Sequence, residues 1–180
     1  MGESRAKTAV ITGAQKGIGA EISKLLIEQN INVIMNYLDA DHQVVNLVRQ
    51  AKELGIKAKA VQADVSSKIE AQSLIDSADE FGGIDYLVSN AAIYPRVSLL
   101  DMTEQNWEQV LSVNLKGSFF IIQAAAKKMI TYGKCGSIVT VASGAAVKGA
   151  LNGAHYSASK SGLFGLTKSA ALEFAQHGIR

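Results

Sequence analysis

Short apolar runs alternate with segments of helical periodicity along nearly the whole chain, and this alternation is the strongest constraint on its fold. We predict five strands, at residues 8–12, 31–37, 57–65, 84–89 and 137–143. Strand–helix alternation implies right-handed βαβ crossovers. The sequence therefore predicts an α/β fold, a doubly wound and mainly parallel sheet with helices on both faces.

The helical segments have recognisable stripes and ends. Apolar residues recur at helical spacing after the first strand, at Ile18, Ile22, Leu25 and Leu26. A second stripe precedes Gly55 and consists of Val44, Leu47, Val48, Ala51 and Leu54. Ser67 and Glu70 predict a capping box for a third helix, which ends near Gly82 and Gly83. A long helix is predicted from residue 101 to about 132, and a last helix from about 156 to 176.

Composition narrows the class of protein without identifying it. The 180 residues are 48% hydrophobic and 19% charged with a net charge of +2, as expected for a globular domain and too mild to indicate nucleic acid or a membrane surface. The segment 1–7 is polar and lacks the apolar core of a signal peptide, and no apolar run reaches transmembrane length. A single cysteine, Cys135, excludes an internal disulfide, so the cytoplasm is the default compartment. His42 and His177 have no partners at metal-ligand spacing, so no metal is predicted.

A glycine-rich turn, Thr12-Gly13-Ala14-Gln15-Lys16-Gly17-Ile18-Gly19, joins the first strand to the first helix. Gly13 permits a tight turn, and Gly17 and Gly19 allow backbone and helix to approach a pyrophosphate at the positive helix N-terminus. Such a turn is weak evidence alone, but its place in a βαβ unit gives it weight. It predicts a dinucleotide site.

Three polar residues near the C-terminal end suit proton transfer. Tyr156 and Lys160 are four residues apart on a predicted helix, so their side chains share one face. An ammonium group beside a tyrosine favours the phenolate and lowers the tyrosine's pKa. Ser143, thirteen residues upstream of Tyr156, could hold a substrate oxygen. Such groups can move a proton at an oxygen while a hydride moves at the adjacent carbon.

Each of these residues also has a structural interpretation. The alternatives are a surface pair on a helix for Tyr156 and Lys160, and for Ser143 a serine that merely ends a strand. His155, beside Tyr156, is expected to be an exposed histidine, and a place in the lining of the substrate pocket is its alternative.

Together these motifs resemble the short-chain dehydrogenase/reductase family from the strand before Gly13 to the end of the chain. The resemblance implies a dehydrogenase or reductase with Tyr156 as general acid/base. It implies that Lys160 lowers the pKa of Tyr156 and touches the nicotinamide ribose, and that Ser143 orients the substrate oxygen. The fourth member is Asn114, which would hold a water that joins Lys160 to solvent. Asn114 shares an inward helical stripe with Trp107, Val110 and Leu111, so a buried amide that satisfies local backbone is the alternative.

The resemblance also implies further cofactor contacts. The family places an aspartate on the adenine, here Asp64 beside Val65, and the alternative is a strand-end turn residue. Asn90-Ala91-Ala92 stands where the family usually has Asn-Ala-Gly, so Ala92 narrows the space beside the ribose. The full predicted set is Gly13, Gln15, Lys16, Gly17, Ile18, Gly19, Tyr37, Asp64, Val65, Asn90, Ala91, Ala92, Tyr156 and Lys160.

The residue at the end of the second strand mostly determines whether such a fold prefers NAD or NADP. NAD-preferring dinucleotide folds place an acidic residue there, on the ribose 2′-hydroxyl, whereas Tyr37 stands at this position. Lys16 could pair with a 2′-phosphate. Asp39, two residues further on, opposes that interpretation because it could repel the phosphate. NADP(H) is favoured, with NAD as the alternative.

Substrate and assembly are less constrained. The sequence resembles bacterial 3-oxoacyl reductases, which favours 3-oxoacyl thioesters; sugars such as glucose and other secondary alcohols are the alternatives. Residues 92–100 and 144–153 should line the pocket. Family members are commonly homotetramers, and residues 115–129 and 163–174 are apolar enough to pack between subunits. The family also continues past the point where this chain stops, so residues 1–180 are expected to be one Rossmann-type domain without the C-terminal strands. A non-catalytic NAD(P)-binding sensor or a truncated form is therefore the second interpretation.

Overall fold

The computed structural model describes residues 6–39 and 42–180. The predicted polar N-terminal segment lies outside them except for Ala6 and Lys7. The elements, in chain order, are β1 (Thr8–Ile11), α1 (Gly17–Glu28), β2 (Asn32–Tyr37), α2 (His42–Glu53), β3 (Ala58–Gln62), α3 (Lys68–Asp76), β4 (Tyr86–Ser89), α4 (Glu104–Leu111), α5 (Gly117–Thr131), β5 (Ser137–Thr140), α6 (Ala145–Lys148) and α7 (Ala154–Phe174).

The five strands form one parallel sheet in the order β3-β2-β1-β4-β5. This confirms the predicted Rossmann-type α/β fold. The chain builds outward from β1 on one side and then restarts at β4 on the other. The carboxyl ends of β1 and β4 therefore flank the switch point at which such sheets bind ligands.

Apolar clusters cover both faces of the central strands, because successive side chains of a strand point to opposite faces of the sheet. Val10 and Ile34 face one apolar cluster, which includes Leu74 of α3 and Ile121 of α5. The alternate strand residues face a second cluster against α1 and α2, and they include Ala9, Ile11, Val33 and Met35. Parallel strands covered on both sides appear as continuous apolar runs, which is why the sequence reveals them.

Two strands end earlier than predicted. β3 ends at Gln62 rather than 65, and β5 ends at Thr140 rather than 143. One further backbone bond follows each strand, from Ala63 to the carbonyl of Tyr37 (3.0 Å) and from Val141 to that of Ser89 (2.9 Å). Beyond these bonds the chain leaves the sheet. The strand ends thus separate and leave room for a cleft.

The helix α1 lies where it is predicted, but only half of its predicted apolar stripe faces the sheet, since Ile22 and Leu26 pack partly buried against the second cluster. Ile18 and Leu25 are 61% and 58% exposed, while small residues and Ile27 face the sheet. A Cβ on Gly19 would lie 2.3 Å from the carbonyl oxygen of Gly13. Close helix–strand packing at the glycine turn therefore selects small residues on the inner face.

The predicted capping box of α3 is only half formed. The Ser67 hydroxyl accepts a hydrogen bond from the Glu70 N–H at 3.4 Å. The Glu70 carboxylate, however, accepts from the N–H of Asp64 at 2.8 Å and not from that of Ser67. Ser67 donates its own N–H to the Asp64 carbonyl instead. The Glu70 carboxylate thus bonds to the loop after β3 in place of the Ser67 N–H that a regular capping box would use. The helix α3 ends at Asp76, before the glycines at which it was predicted to end.

The long predicted helix contains an irregular turn. It begins at Glu104, where Thr103 and Asn106 form a reciprocal capping box, rather than at residue 101. Residues Ser112–Lys116 form a π-helical turn between α4 and α5, with the Gly117 N–H bonded to the Ser112 carbonyl. The short helix α6 is absent from the prediction. Across the part of the chain that the structure describes, no helix is long and apolar enough to cross a membrane.

Candidate active site

The glycine turn brings β1 and α1 unusually close together. Gly13 and Gly17 have φ values of +63° and +55°, which glycine adopts without steric cost. A Cβ on Gly19 would also lie 2.7 Å from the side-chain nitrogen of Asn90. The turn therefore depends on glycine at these positions, for backbone conformation at the first two and for space at the third.

Thr12 and Asn90 fasten the turn to the end of β4. The Thr12 hydroxyl accepts hydrogen bonds from the N–H groups of Asn90 (2.9 Å) and Ala91 (3.0 Å). The Asn90 amide donates in return to the carbonyls of Thr12 (2.9 Å) and Gly13 (3.1 Å). Asn90, predicted as a cofactor contact, thus also shapes the turn.

Asn36 holds the turn from the other side, a role that sequence reasoning missed. Its buried side chain accepts from the Gly13 N–H at 3.2 Å and donates to the Ala63 carbonyl at 2.9 Å. Its backbone carbonyl accepts from Ala14 at 2.8 Å. The available signal was an amide inside the mostly apolar run 31–37, because a buried polar group needs partners.

A cleft of about 570 Å³ opens at the carboxyl ends of these strands. Nine of the predicted cofactor residues line it: Gly13, Gln15, Lys16, Ile18, Asp64, Val65, Asn90, Ala91 and Ala92. The side-chain oxygen of Gln15 is buried there without a hydrogen-bond partner in the described part of the chain. The glycine cradle, the cleft's position and this unsatisfied polar atom all fit a dinucleotide.

The residues expected to select between NAD and NADP differ in whether they line the cleft. Tyr37 packs against the second apolar cluster, and its neighbours Asn36 and Leu38 line the cleft instead. Lys16 lines the cleft and is exposed, and Asp39 is also exposed. The side chain of Asp64 accepts from the N–H of Ser66 at 2.8 Å, as the strand-end turn interpretation describes.

Lys160 is buried beside Tyr156 near the N-terminal end of α7. Its ammonium group donates to the carbonyl of Val141, just past β5, at 2.7 Å. The same nitrogen lies 5.9 Å from the centre of the Tyr156 ring. Burial lowers the pKa of Lys160 from its ordinary value of 10.5 to about 8. The pair is therefore not the surface pair that was the alternative for these residues.

Asn114 is fully buried in the π-helical turn, and its amide grips the loop after β4. Its oxygen accepts from the Ile93 N–H at 2.8 Å, and its nitrogen donates to the Ile93 carbonyl at 3.0 Å. The nitrogen also donates to the Ser159 hydroxyl at 3.1 Å, which in turn donates to the Tyr156 carbonyl at 2.7 Å. The side chain thus makes the backbone contacts of the structural alternative, and it connects them to α7.

Ser159 is a second residue that sequence reasoning missed. It is fully buried and bridges Asn114 to the backbone of the helical turn that carries Tyr156. Its only signal in the sequence was its place in the run Tyr156-Ser157-Ala158-Ser159-Lys160, since a small polar residue has no apolar periodicity to reveal it.

Ser143 lies between β5 and α6 and is half-buried. Its hydroxyl accepts from the Ala145 N–H at 3.1 Å, so it is held at the start of α6. α6 is tied to α7 by the Ser161 hydroxyl, which donates to the Ala146 carbonyl at 2.6 Å. The segments that carry Ser143 and Tyr156 are thus fixed to one another.

The prediction of an exposed His155 is wrong. The residue is fully buried, and its Nδ1 atom accepts from the Tyr156 N–H at 2.8 Å. Burial lowers the pKa of His155. The histidine satisfies a free N–H in the first turn of α7. Among the described residues, no group of three His, Cys, Asp or Glu side chains is placed to hold a metal ion.

Comparison with known proteins identifies the family. The family model for short chain dehydrogenases matches residues 7–180. A 3-oxoacyl-[acyl-carrier-protein] reductase FabG from Staphylococcus aureus is 38% identical over 174 residues, which cover 96% of this chain and 70% of the relative. An L-rhamnose 1-dehydrogenase (NAD(P)(+)) from Sphingomonas is also 38% identical, over 97% of this chain and 69% of that protein.

Solved structures agree with this assignment. A crystal structure of a short-chain alcohol dehydrogenase-like protein from Sinorhizobium meliloti 1021 superposes with a TM-score of 0.91 at 34% identity, over 97% of this chain and 69% of its own. The chain belongs to the short-chain dehydrogenase/reductase family and is an oxidoreductase of that class.

Proposed function

We propose that the protein is an NADP(H)-dependent oxidoreductase that transfers hydride between the nicotinamide and a ketone or secondary alcohol. The observation that carries this is the buried Lys160 beside Tyr156, on the helix α7. Ser159 of α7 is bonded to Asn114, in the π-helical turn whose Ser112 and Val113 line the dinucleotide-sized cleft. Family members bind NAD or NADP, and the glycine turn supplies the backbone groups for a pyrophosphate. Residues 1–180 act as one dinucleotide-binding domain with the catalytic residues built in.

The bound nicotinamide would supply or accept the hydride, and side chains of this chain would move the proton. In the reducing direction Ser143 and Tyr156 bind the substrate oxygen, and Tyr156 donates its phenolic proton to it. The ammonium group of Lys160 favours the phenolate that remains. Asn114 completes the relay by a water that returns the proton from solvent. Alcohol oxidation uses the same groups in reverse.

NADP(H) is preferred over NAD(H) because Lys16 lies exposed at the cleft and can pair with a 2′-phosphate. Tyr37, at the position of the acidic residue of NAD-preferring folds, is not acidic. Replacing Lys16 by methionine should weaken NADPH binding about tenfold and leave NADH binding nearly unchanged. Equal loss for both nucleotides, measured by fluorescence titration, would exclude this basis of selectivity.

A 3-oxoacyl thioester is the first substrate we propose, because a reductase of that class matches 96% of the chain. A sugar is the second candidate, because an L-rhamnose 1-dehydrogenase matches at the same identity. A panel of 3-oxoacyl thioesters, aldoses and simple ketones separates the two.

The deciding experiment follows nicotinamide absorbance with this panel for the wild type and for Tyr156→Phe. The variant should lose about 10²- to 10⁴-fold in kcat, since it lacks the transferred proton, with nucleotide affinity retained. Tyr86→Phe removes a tyrosine hydroxyl that is bonded to Lys7 at the far end of β4, and should keep full activity. An active Tyr156→Phe protein would refute the assignment. Nucleotide binding without turnover in the wild type would favour the non-catalytic sensor instead.

We also propose a homotetramer in the cytoplasm. A shallow groove of about 360 Å³ along α4, the π-helical turn, the start of α5 and α7 is largely apolar, and its lining includes Leu111, Leu115, Phe119 and Leu166. A second copy of the chain is the occupant we propose. The space beside Gly162 is filled by the Leu115 side chain of the same chain. Phe119 and Gly165 therefore remain as positions that a second copy could contact.

A further inference from the structure

A second tyrosine is stacked on Tyr156, and the proton-transfer scheme does not use it. The rings of Tyr94 and Tyr156 have centroids 4.1 Å apart and planes inclined by 20°. Tyr94 belongs to the loop after β4, and Tyr156 to the first turn of α7. The contact therefore joins the loop after β4 to the helix that carries Tyr156 and Lys160. Near-parallel aromatic contacts contribute specific orientation in addition to buried area.

The position of Tyr94 is fixed from both sides. Ile93, directly before it, is held through both its N–H and its carbonyl by the Asn114 amide. Val97 donates its N–H to the carbonyl of Asn152 at 2.9 Å. Pro95 comes next in the chain and restricts the backbone of Tyr94 to extended conformations. The ring is thus presented by a short segment with little freedom, although 38% of Tyr94 is exposed.

Gly153 makes room for this arrangement. A Cβ at Gly153 would lie 2.8 Å from both Cε2 and the hydroxyl oxygen of Tyr94. The φ of Gly153 is negative, at −147°, so the close approach of the Tyr94 ring accounts for the glycine better than a left-handed backbone does. An alanine at this position would displace the Tyr94 ring and leave its chemistry intact.

The two rings also connect two cations. The guanidinium carbon of Arg96 lies 5.7 Å from the centre of the Tyr94 ring, and the Lys160 nitrogen lies 5.9 Å from that of Tyr156. Both distances are within the range of cation–π attraction. The Tyr94 ring thus contacts Tyr156 on one side, and the buried Lys160 ammonium group lies near its ring on another.

We propose that Tyr94 is a positioning residue for Tyr156, and that it fixes the plane of the phenol ring against which the substrate carbonyl must align. The proposal rests on the function proposed above. Proton transfer depends steeply on geometry, so a free Tyr156 ring should reach the reactive arrangement less often. The ring of Tyr94 matters for this role and its hydroxyl does not.

The test compares Tyr94→Phe, Tyr94→Ala and Gly153→Ala with the wild type. Tyr94→Phe should keep kcat within about twofold, because it keeps the ring. Tyr94→Ala should lower kcat on the order of tenfold with the Kd for the nucleotide unchanged. Gly153→Ala should lower kcat similarly, and it should cause little further loss when added to Tyr94→Ala, because both changes remove the same contact.

A second readout follows the stack itself, independently of turnover. The tyrosine band in near-ultraviolet circular dichroism should change in Tyr94→Ala and in Gly153→Ala, with thermal unfolding still cooperative. Unchanged or raised kcat in Tyr94→Ala would overturn the proposal, as would additive losses in the double variant. A wild-type protein that binds nucleotide but never turns over substrate would instead be a failure of the proposed function, even with the stack present.

Discussion

Lys160 carries an ammonium group whose pKa is lowered by burial to about 8, and its stability effect can be derived from this single residue. Below about pH 8 the group is charged in both folded and unfolded chains, so the folded state bears the whole desolvation cost. Between pH 8 and 10.5 the unfolded chain binds more protons than the folded one. The contribution of Lys160 to the free energy of unfolding therefore rises with pH across this window.

We predict that Lys160→Met is more stable than the wild type at pH 7, by on the order of 1–2 kcal/mol. The variant no longer buries an ammonium group, so it avoids the desolvation cost of that charge. The gain in stability is partly offset because the Val141 carbonyl loses its hydrogen-bond donor. The difference should shrink as pH rises from 8 towards 10.5, because the wild-type lysine becomes neutral. Urea unfolding of the nucleotide-free proteins at about pH 7 and about pH 10 measures both values.

Lys168→Met is the matched control, since Lys168 is exposed on the same helix. It should change the free energy of unfolding little, and equally at the two pH values. A stability difference between Lys160→Met and the wild type that stays constant with pH would contradict the buried-ammonium explanation.

At the scale of elements, the π-helical turn between α4 and α5 decides which residues of a long helix face the site. One extra residue in a turn rotates the next helical segment by about 100° relative to a regular helix. Asn114 sits in the middle of this turn and faces inward, with no exposed surface. The Ser118 hydroxyl donates to the Asn114 carbonyl at 2.8 Å, which connects the turn to the start of α5. The turn thereby joins α4, α5, α7 and the loop after β4.

Asn114→Ala should release this loop. The Ile93 N–H loses its acceptor, so its hydrogen exchange should accelerate at least about tenfold, and the free energy of unfolding should fall by about 1–3 kcal/mol. Hydrogen-exchange mass spectrometry of the peptide around Ile93 measures the first effect. Asn106→Ala removes an amide at the start of α4 and should leave Ile93 protected. A protected Ile93 in Asn114→Ala would show that the loop is held by other contacts.

At the scale of the whole molecule, apolar clusters cover both faces of the central strands, whereas the groove beside α4, α5 and α7 leaves apolar surface open. Phe119 is 41% exposed there, and Phe164 of α7 is equally exposed. Apolar surface of this kind on a structured helix pair commonly marks contact with another protein. Two long helices that pack against their copies would form a symmetric interface.

Phe119→Glu should therefore dissociate the proposed tetramer into smaller species, because the interface would bury an unpaired charge. Sedimentation velocity of the wild type and the variant measures the change. Ile69→Glu introduces the same charge at an 83% exposed position on α3 and should leave the assembly intact. A wild type that sediments as a monomer, or an intact tetramer of Phe119→Glu, would refute this interface.

The sequence by itself determined the order of the strands and of most helices, the parallel sheet and the family, although it missed α6 and the π-helical turn. Strands buried on both faces are mostly apolar, and glycine is favoured where the chain takes a positive φ, as at Gly13 and Gly17. These are local requirements, so they can be recognised one segment at a time. The Tyr156–Lys160 spacing belongs with them, because helical geometry alone puts both residues on one face.

Tertiary structure decided the features that depend on residues far apart in the chain. Asn36, Ser159 and Tyr94 gain their roles only from distant partners, at Gly13, Asn114 and Tyr156 respectively. The inward small face of α1 and the bond from the loop after β3 to Glu70 arise from close packing at the glycine turn and the strand ends. The periodicity of the sequence does not reveal such contacts. A hydrogen bond or a ring stack joins two residues that are close in space, and it imposes no pattern on the residues that surround either of them in the sequence.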